Sequence, residues 1–246
     1  MKFAPLMEEY VKKNPVDDWE DDCNRYIGFI DIMGFKNLVA RRPHSEIKHM
    51  LLQMNQTRTI LLKLLDKGKK SDSKTSDSRV RSISFSDSVV FVTKSDTSED
   101  FSNLSIALRI CQEATIQSGL PTKGAISYGN LTVDFDRSIF FGQPLIDAYQ
   151  LQEELLYYGI VIDNNAETRL KHLIQQSSND FPNDNFVNVP TPFKGGKVNH
   201  FNISLGNIQD DQLDYLYNSV SGSVRKYVDN TIEMYRVMEQ NRNKDR

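Results

Sequence analysis

The run FIDIMGF (29–35) ends an apolar stretch on a carboxylate, Asp31, with Gly34 close behind it. A second carboxylate, Asp87, stands in FSDS (85–88), between two strand-like runs. A charge at the end of a buried strand is costly unless it is paired, solvated or bound to a metal. Two aspartates that converge with space between them suit Mg²⁺ or Mn²⁺, hard cations that prefer oxygen ligands and bridge to a nucleotide's phosphates. Two such ions about 3.5–4 Å apart lower the pKa of an attacking hydroxyl while neutralising a departing pyrophosphate. Plainer roles exist for both residues. Asp31 would serve as the N-cap of a helix starting near Gly34, and Asp87 as a turn residue. Spacing alone does not choose between them.

The elements that must position these residues follow from periodicity. RYIGFID (25–31) is short, β-branched and aromatic, and reads as a strand. Residues 44–66 place Ile47, Met50, Leu51, Met54, Leu61, Leu62 and Leu65 at helical spacing. DKGKKSDSKTSDS (66–78) has no apolar residue and reads as a solvated, mobile loop. VRSISF (80–85) and SVVFVT (88–93) are two strands joined by Ser86-Asp87, a hairpin signal. Residues 98–119 open on a Ser/Glu/Asp cluster and end in glycine, as a capped helix does.

PTKGAISYG (121–129) reads as a strand, with LTVDF (131–135) as its hairpin partner. A helix over 145–157 has Pro144 near its first turn. GIVID (159–163) is a further strand, followed by a helix to about 176. Residues 177–200 are rich in Ser, Asn, Asp and Pro, HFNISL (200–205) is a candidate strand, and a long helical stripe runs from about 208 to 240. The order β-α-α-β-β-α-β-β-α-β predicts an α+β fold, ferredoxin-like, with an antiparallel-rich sheet and helices on one face.

Composition narrows the classes. Hydrophobic residues make up 39% and charged residues 26%, as in an ordinary globular protein, and a net charge of −3 gives no general attraction to nucleic acid or to an anionic membrane. No run approaches the ~20 apolar residues of a membrane helix. The two cysteines, Cys23 and Cys111, have no paired spacing, and the four histidines show no zinc spacing. A reduced, cytoplasmic protein is the expectation. There is neither a GxxxxGK[ST] loop nor a GxGxxG fingerprint, so any phosphate chemistry uses another device.

Four motifs in order carry a resemblance. Residues 29–35 match the F-x-D-I-x-G-F pattern of class III nucleotidyl cyclase catalytic domains, and FSDS (85–88) looks like that family's second metal-aspartate hairpin. KGAISYG (123–129) resembles its R-x-G-I-x-x-G strand, and FGQPLIDAYQLQE (141–153) falls where the family has G-x-x-V-N-x-A-x-R-L-E. Together they are similar to the bacterial pyrimidine cyclases of Pycsar anti-phage systems, compact homodimers that form cyclic UMP or cyclic CMP from UTP or CTP. The resemblance implies two Mn²⁺ or Mg²⁺ ions per site, held by Asp31, Asp87 and the Ile32 carbonyl. Gly34 would permit the close turn under the triphosphate, and Phe35 would close the pocket. Lys123 would contact phosphate as a point charge; a solvated strand-end lysine is the other reading. Lys194 or Lys197 of KGGK (194–197) would reach the pyrophosphate, or form a plain turn.

The resemblance also implies a head-to-tail homodimer with composite sites, a pyrimidine triphosphate substrate, and a separate cyclic-nucleotide-responsive effector acting in trans in antiviral defence. No nucleic acid or membrane partner is implied. It divides the chain into an extension (1–24), a catalytic domain (25–206) and a C-terminal helix (207–246) packed on the core or the dimer. Some positions depart from the family. Ile146, beside Asp147, and Gln150 replace the helix asparagine and arginine, and the loss of the arginine removes a donor for transition-state charge. Ile83 and Ile139 replace the lysine and aspartate that usually select a purine, and aliphatic groups cannot bond a base edge. A pyrimidine cyclase is the leading expectation. An adenylate or guanylate cyclase, or an inactive nucleotide-binding or dimerisation module, are the alternatives.

Overall fold

The apolar run of FIDI and its neighbours puts hydrophobic side chains on both alternating faces, the pattern of a strand covered from two sides. In the computed structural model this segment, β1 (Asp22–Ile32), is an interior strand of the sheet. The structure describes residues 19–67, 78–176, 186–204, 208, 210–219 and 221–244; most of the expected extension and of the 66–78 loop lie outside the described residues. After β1 come α1 (Phe35–Arg41), α2 (His44–Lys67), β2 (Val80–Phe85), β3 (Ser88–Thr93) and α3 (Ser98–Gln117). Then follow β4 (Thr122–Asp134), β5 (Ile139–Phe141), α4 (Gln143–Glu154), β6 (Ile160–Ile162) and α5 (Asn164–Gln176). β7 (Phe186–Phe193), β8 (Gly196–Ile203), α6 (Asp210–Ser219), a 3₁₀ turn (Gly222–Val224) and α7 (Arg225–Lys244) complete the chain.

The sheet order is β2-β3-β1-β4-β6-β8-β7, with β5 on the side of β4. Its first four members are the expected ferredoxin-like unit, antiparallel throughout, and β4 and β6 form a parallel pair. Local signals explain the boundaries. Ser86 takes a left-handed φ of 55° in the β2–β3 turn, and the Thr97 hydroxyl oxygen caps α3 by accepting from the Asp100 N–H.

Helices cover both faces of the sheet, not one. Tyr26 and Ile30 pack with Phe101, Leu104 and Leu108 of α3, whereas Ile27 and Phe29 belong to a core with Ala148 of α4 and Met234 and Met238 of α7. Gly28 lets α3 lie close, since a Cβ there would stand 2.7 Å from Leu108 Cδ1. α7 packs on the chain's own core: Tyr158 stacks on Tyr227, and the Tyr158 N–H donates to Thr231 Oγ1 at 2.9 Å.

Three expected elements differ. LTVDF is no hairpin partner, because β4 runs straight through Gly129 and keeps its register with β1 from Thr122 to Thr132. Staying extended retains those ladder bonds. The turn falls later, where Asp134 accepts from the Arg137 N–H at 2.8 Å and β5 returns. FVNVPTPF (186–193), within the stretch rich in Ser, Asn, Asp and Pro to which no element is assigned from sequence, is strand β7; an edge strand tolerates Pro190 and Pro192 because their missing N–H groups interrupt no second ladder. The C-terminal stripe is two helices, broken where Gly222 takes a φ of 65°.

An ion pair ties β8 to α5. His200 Nδ1 lies 3.0 Å from Glu167 Oε1, which also accepts from the Phe201 N–H at 2.9 Å. The bond to Glu167 raises the pKa of His200 above its usual 6.5. Burial pushes Glu167 up, but the bonds from His200 and Phe201 outweigh it and hold the carboxyl below its usual 4.5. The stability from protonated His200 is complete below about pH 6.5 and is lost as pH rises through the raised value; that from Glu167 is present above about 4.5 and is lost as pH falls through the lowered one. Melting temperature should therefore decline above about pH 6.5 more steeply in the wild type than in Glu167→Gln. Parallel profiles for the two proteins would show that the pair contributes nothing.

Candidate active site

The β1–β3 and β1–β4 registers bring two charged residues and a serine to one end of the sheet. Asp31 faces Ser88 on one side and Lys123 on the other, so the three side chains share a face. The β2–β3 turn is held against the end of β1, because the Ile32 N–H donates to the Asp87 carbonyl at 3.1 Å. Ser88 Oγ donates to Asp31 Oδ1 at 2.8 Å. Burial raises the pKa of Asp31; Ser88 opposes the rise, Asp87 adds to it, and Lys123 opposes it. The carboxylate is thus under-compensated by the chain itself.

Lys123 is not a solvated strand-end lysine: it is 3% exposed. Its ammonium lies 3.7 Å from Glu153 Oε1 and donates to the Glu153 carbonyl at 3.4 Å, at the C-terminal end of α4. Burial lowers its pKa, Glu153 works against that, and the charge of Lys194 adds to the lowering. Lys194 sits in the β7–β8 turn, with its N–H on the Glu154 carbonyl at 2.9 Å and its ammonium 3.5 Å from Glu154 Oε1. Lys197 turns to Glu233 on α7, at 2.6 Å. Of the KGGK lysines, the structure brings Lys194 toward Lys123 and commits Lys197 to α7.

Gly34 has a φ of 73° at the entry to α1, with open space where a Cβ would be, so the backbone conformation rather than crowding calls for glycine. Phe35 lines a narrow apolar recess with Ile32, Leu38, Ile47 and Met50, facing α2 rather than the cleft that Ser88 lines. That cleft, of about 440 Å³, is apolar: Phe29, Ile83, Phe85, Ile146 and Tyr149 line it together with Ser88. Tyr149 stands edge-on to Phe29 at 5.6 Å between ring centroids. Gln150 is exposed, Asp147 accepts from Gln143 Nε2 at 2.8 Å, and Ile139 is exposed on β5.

Three residues escaped the sequence reading. Ser88 bonds Asp31, Glu153 holds Lys123, and Tyr149 walls the cleft. All three lie inside quoted motifs, so their positions were in view; their partners depend on strand register and helix placement. Asp31 and Asp87 offer oxygen donors only, and a divalent cation would supply the positive charge that burial and Asp87 leave Asp31 lacking. The donor chemistry fits Mg²⁺ or Mn²⁺. No group of three or more His, Cys, Asp or Glu side chains disposed for a metal occurs among the described residues, so the pair stands without a third carboxylate.

No protein-family model matches the sequence, and no curated protein matches it. Solved structures do match. A bacterial light-regulated adenylyl cyclase superposes with a TM-score of 0.51 at 14% identity, covering 81% of this chain and 99% of that one. The catalytic core of a rhodopsin-guanylyl cyclase with converted specificity, in complex with ATPαS, gives 0.50 at 17%, covering 74% and 96%. The fold is therefore that of adenylyl and guanylyl cyclase catalytic domains, the α+β class III cyclase architecture.

Proposed function

We propose that this chain is a metal-dependent nucleotidyl cyclase whose substrate is a pyrimidine nucleoside triphosphate, UTP or CTP. The observation that supports it most is the juxtaposition of Asp31, Asp87 and Lys123 at one sheet end, on a cyclase fold. In the reaction the ribose 3′-oxygen bonds to the α-phosphorus and its proton passes to solvent water. The bond from that phosphorus to the α,β-bridging oxygen breaks, and pyrophosphate leaves. Mg²⁺ or Mn²⁺ on Asp31, Asp87 and the Ile32 carbonyl would supply charge neutralisation and acidify the hydroxyl. Ser88 orients Asp31 through its hydrogen bond, and Lys123, itself fixed by Glu153, offsets part of the carboxylate's charge. Lys194, exposed at the turn and paired there with Glu154, would turn to a phosphate.

Ile83 and Ile146 support the choice of base. Both line an apolar cleft and offer no hydrogen bond to a purine edge, so a smaller base held by packing and backbone groups fits them better. The exposed aromatic rim of the same cleft supports a homodimer with composite sites. By resemblance, the product would be a messenger read by a separate effector in antiviral defence. No helix among the described residues is long and apolar enough to cross a membrane.

A second reading, a module that binds nucleotide without catalysis, is favoured by one observation: Ile146 and Gln150 leave the helix without the family's arginine. Incubation with Mn²⁺ and, separately, UTP, CTP, ATP and GTP tests both, with products identified by mass spectrometry. A cyclic pyrimidine nucleotide is the expected product. Cyclic AMP or cyclic GMP would reassign the base, and nucleotide binding with no cyclic product would establish the module.

A further inference from the structure

Behind the hairpin that carries Asp87, α2 and α3 leave a cavity of about 560 Å³ against the sheet. Its wall includes Ile30 and Phe91, whose side chains belong to the α3-covered core, the face opposite the one that Asp31 shares with Phe29. Met50 and Met54 of α2 close it from the other side. One cation enters this setting, whose lining mixes the apolar side chains with neutral polar ones such as Gln53, Thr57 and Ser118. Arg58 of α2 is half-buried, and its guanidinium donates to Ser84 Oγ and Asn55 Oδ1, both neutral. Burial pulls its pKa down from the usual value, and no carboxylate contributes to hold it up. An arginine packed this way ordinarily finds an acidic partner; among the described residues Arg58 has none.

We propose that this cavity binds a small amphipathic carboxylate, with the apolar body between Met50, Met54 and Phe91 and the carboxylate on Arg58. Its volume lies in the range of small-molecule sites, roughly 300–1,000 Å³. Methionine side chains adapt to apolar bodies of varied shape, and a guanidinium's planar fork matches a carboxylate in bidentate fashion. The head group is a monoanion because a single guanidinium faces it while Asp87, also on the lining, repels further negative charge. Ser84, Ser86 and Asp87 are shared between the cavity and the β2–β3 hairpin. Occupancy therefore bears on the element that positions Asp87. Any effect on activity rests on the cyclase reading above; the binding does not.

Calorimetry and thermal melting on the full chain, without nucleotide, test the binding with decanoate, decanol and decyl phosphate. Decanoate should bind saturably, one per chain, and raise the melting temperature. Decanol and decyl phosphate should bind at least about tenfold more weakly. In Arg58→Gln decanoate should fall to the level of decanol, whose own binding is unchanged. Arg58→Lys, which keeps the charge and loses the fork, should lie between, and Ala114→Phe, which fills the cavity, should abolish binding of both ligands while still melting cooperatively. No binding of decanoate to the wild type would overturn the site. Equal binding of decanoate and decanol, or tighter binding of decyl phosphate, would overturn the carboxylate assignment.

Discussion

On the proposed cyclase reading, Asp31→Asn is expected to form no cyclic nucleotide above background, a loss on the order of 10³-fold or about 4 kcal/mol of transition-state stabilisation, with no fall in its melting temperature. Both halves follow from the same geometry. Burial and the neighbouring Asp87 raise the pKa of Asp31, so the folded chain disfavours the charge it carries at neutral pH. A raised carboxyl contributes stability that is complete below its usual 3.8 and is lost as pH rises through the folded value. Asparagine removes the charge and keeps an oxygen to accept from Ser88. The expected melting temperature without metal is thus equal to or above the wild type's.

Mn²⁺ reverses the comparison. An ion that binds only the folded chain adds about 2.7 kcal/mol at a hundred times its dissociation constant. The wild type should then melt higher with Mn²⁺, and Asp31→Asn should not respond. Product mass spectrometry and melts with and without Mn²⁺ read both effects. Full activity in Asp31→Asn would remove this residue from the site, and a variant that melts early without metal would identify a folding defect instead.

Phe85→Asp is expected to separate the chains of the proposed dimer. Phe85 is 83% exposed and Tyr149 50%, both line the apolar cleft, and exposed aromatic groups so placed are the basis of the proposed dimer interface. A hot-spot residue is worth about 2 kcal/mol or more, and a two-fold interface loses two copies, so the dimer should dissociate roughly 10³-fold more readily. Sedimentation should show a dimer for the wild type and a monomer for Phe85→Asp, with product formation falling at least about a hundredfold. Stability of the protomer should change little, because this side chain covers almost none of its own core. A monomeric variant that retains full activity would mean that one chain holds a complete site.

The sequence by itself determined what depends on neighbours along the chain. The β2–β3 hairpin falls on the expected residues because Ser86 and Asp87 interrupt two alternating runs, and α3 begins beside a cluster of capping side chains. Candidate carboxylates could be named because a charge inside FIDIMGF is out of place. Only the tertiary structure decided how they are partnered. Strand register sets Asp31 between Ser88 and Lys123, and the end of α4 turns Lys123 from a surface residue into a buried one. β4 passes through Gly129 because β1 offers ladder bonds beyond it, and Pro190 and Pro192 lie in a strand because β7 is an edge. The apolar cleft is built from the first five strands and α4, none of which alone presents a pocket. Turn and cap energies act over a few residues and can be read locally. Pairing, burial and cavity shape arise between segments far apart in the chain, where local pattern has no purchase.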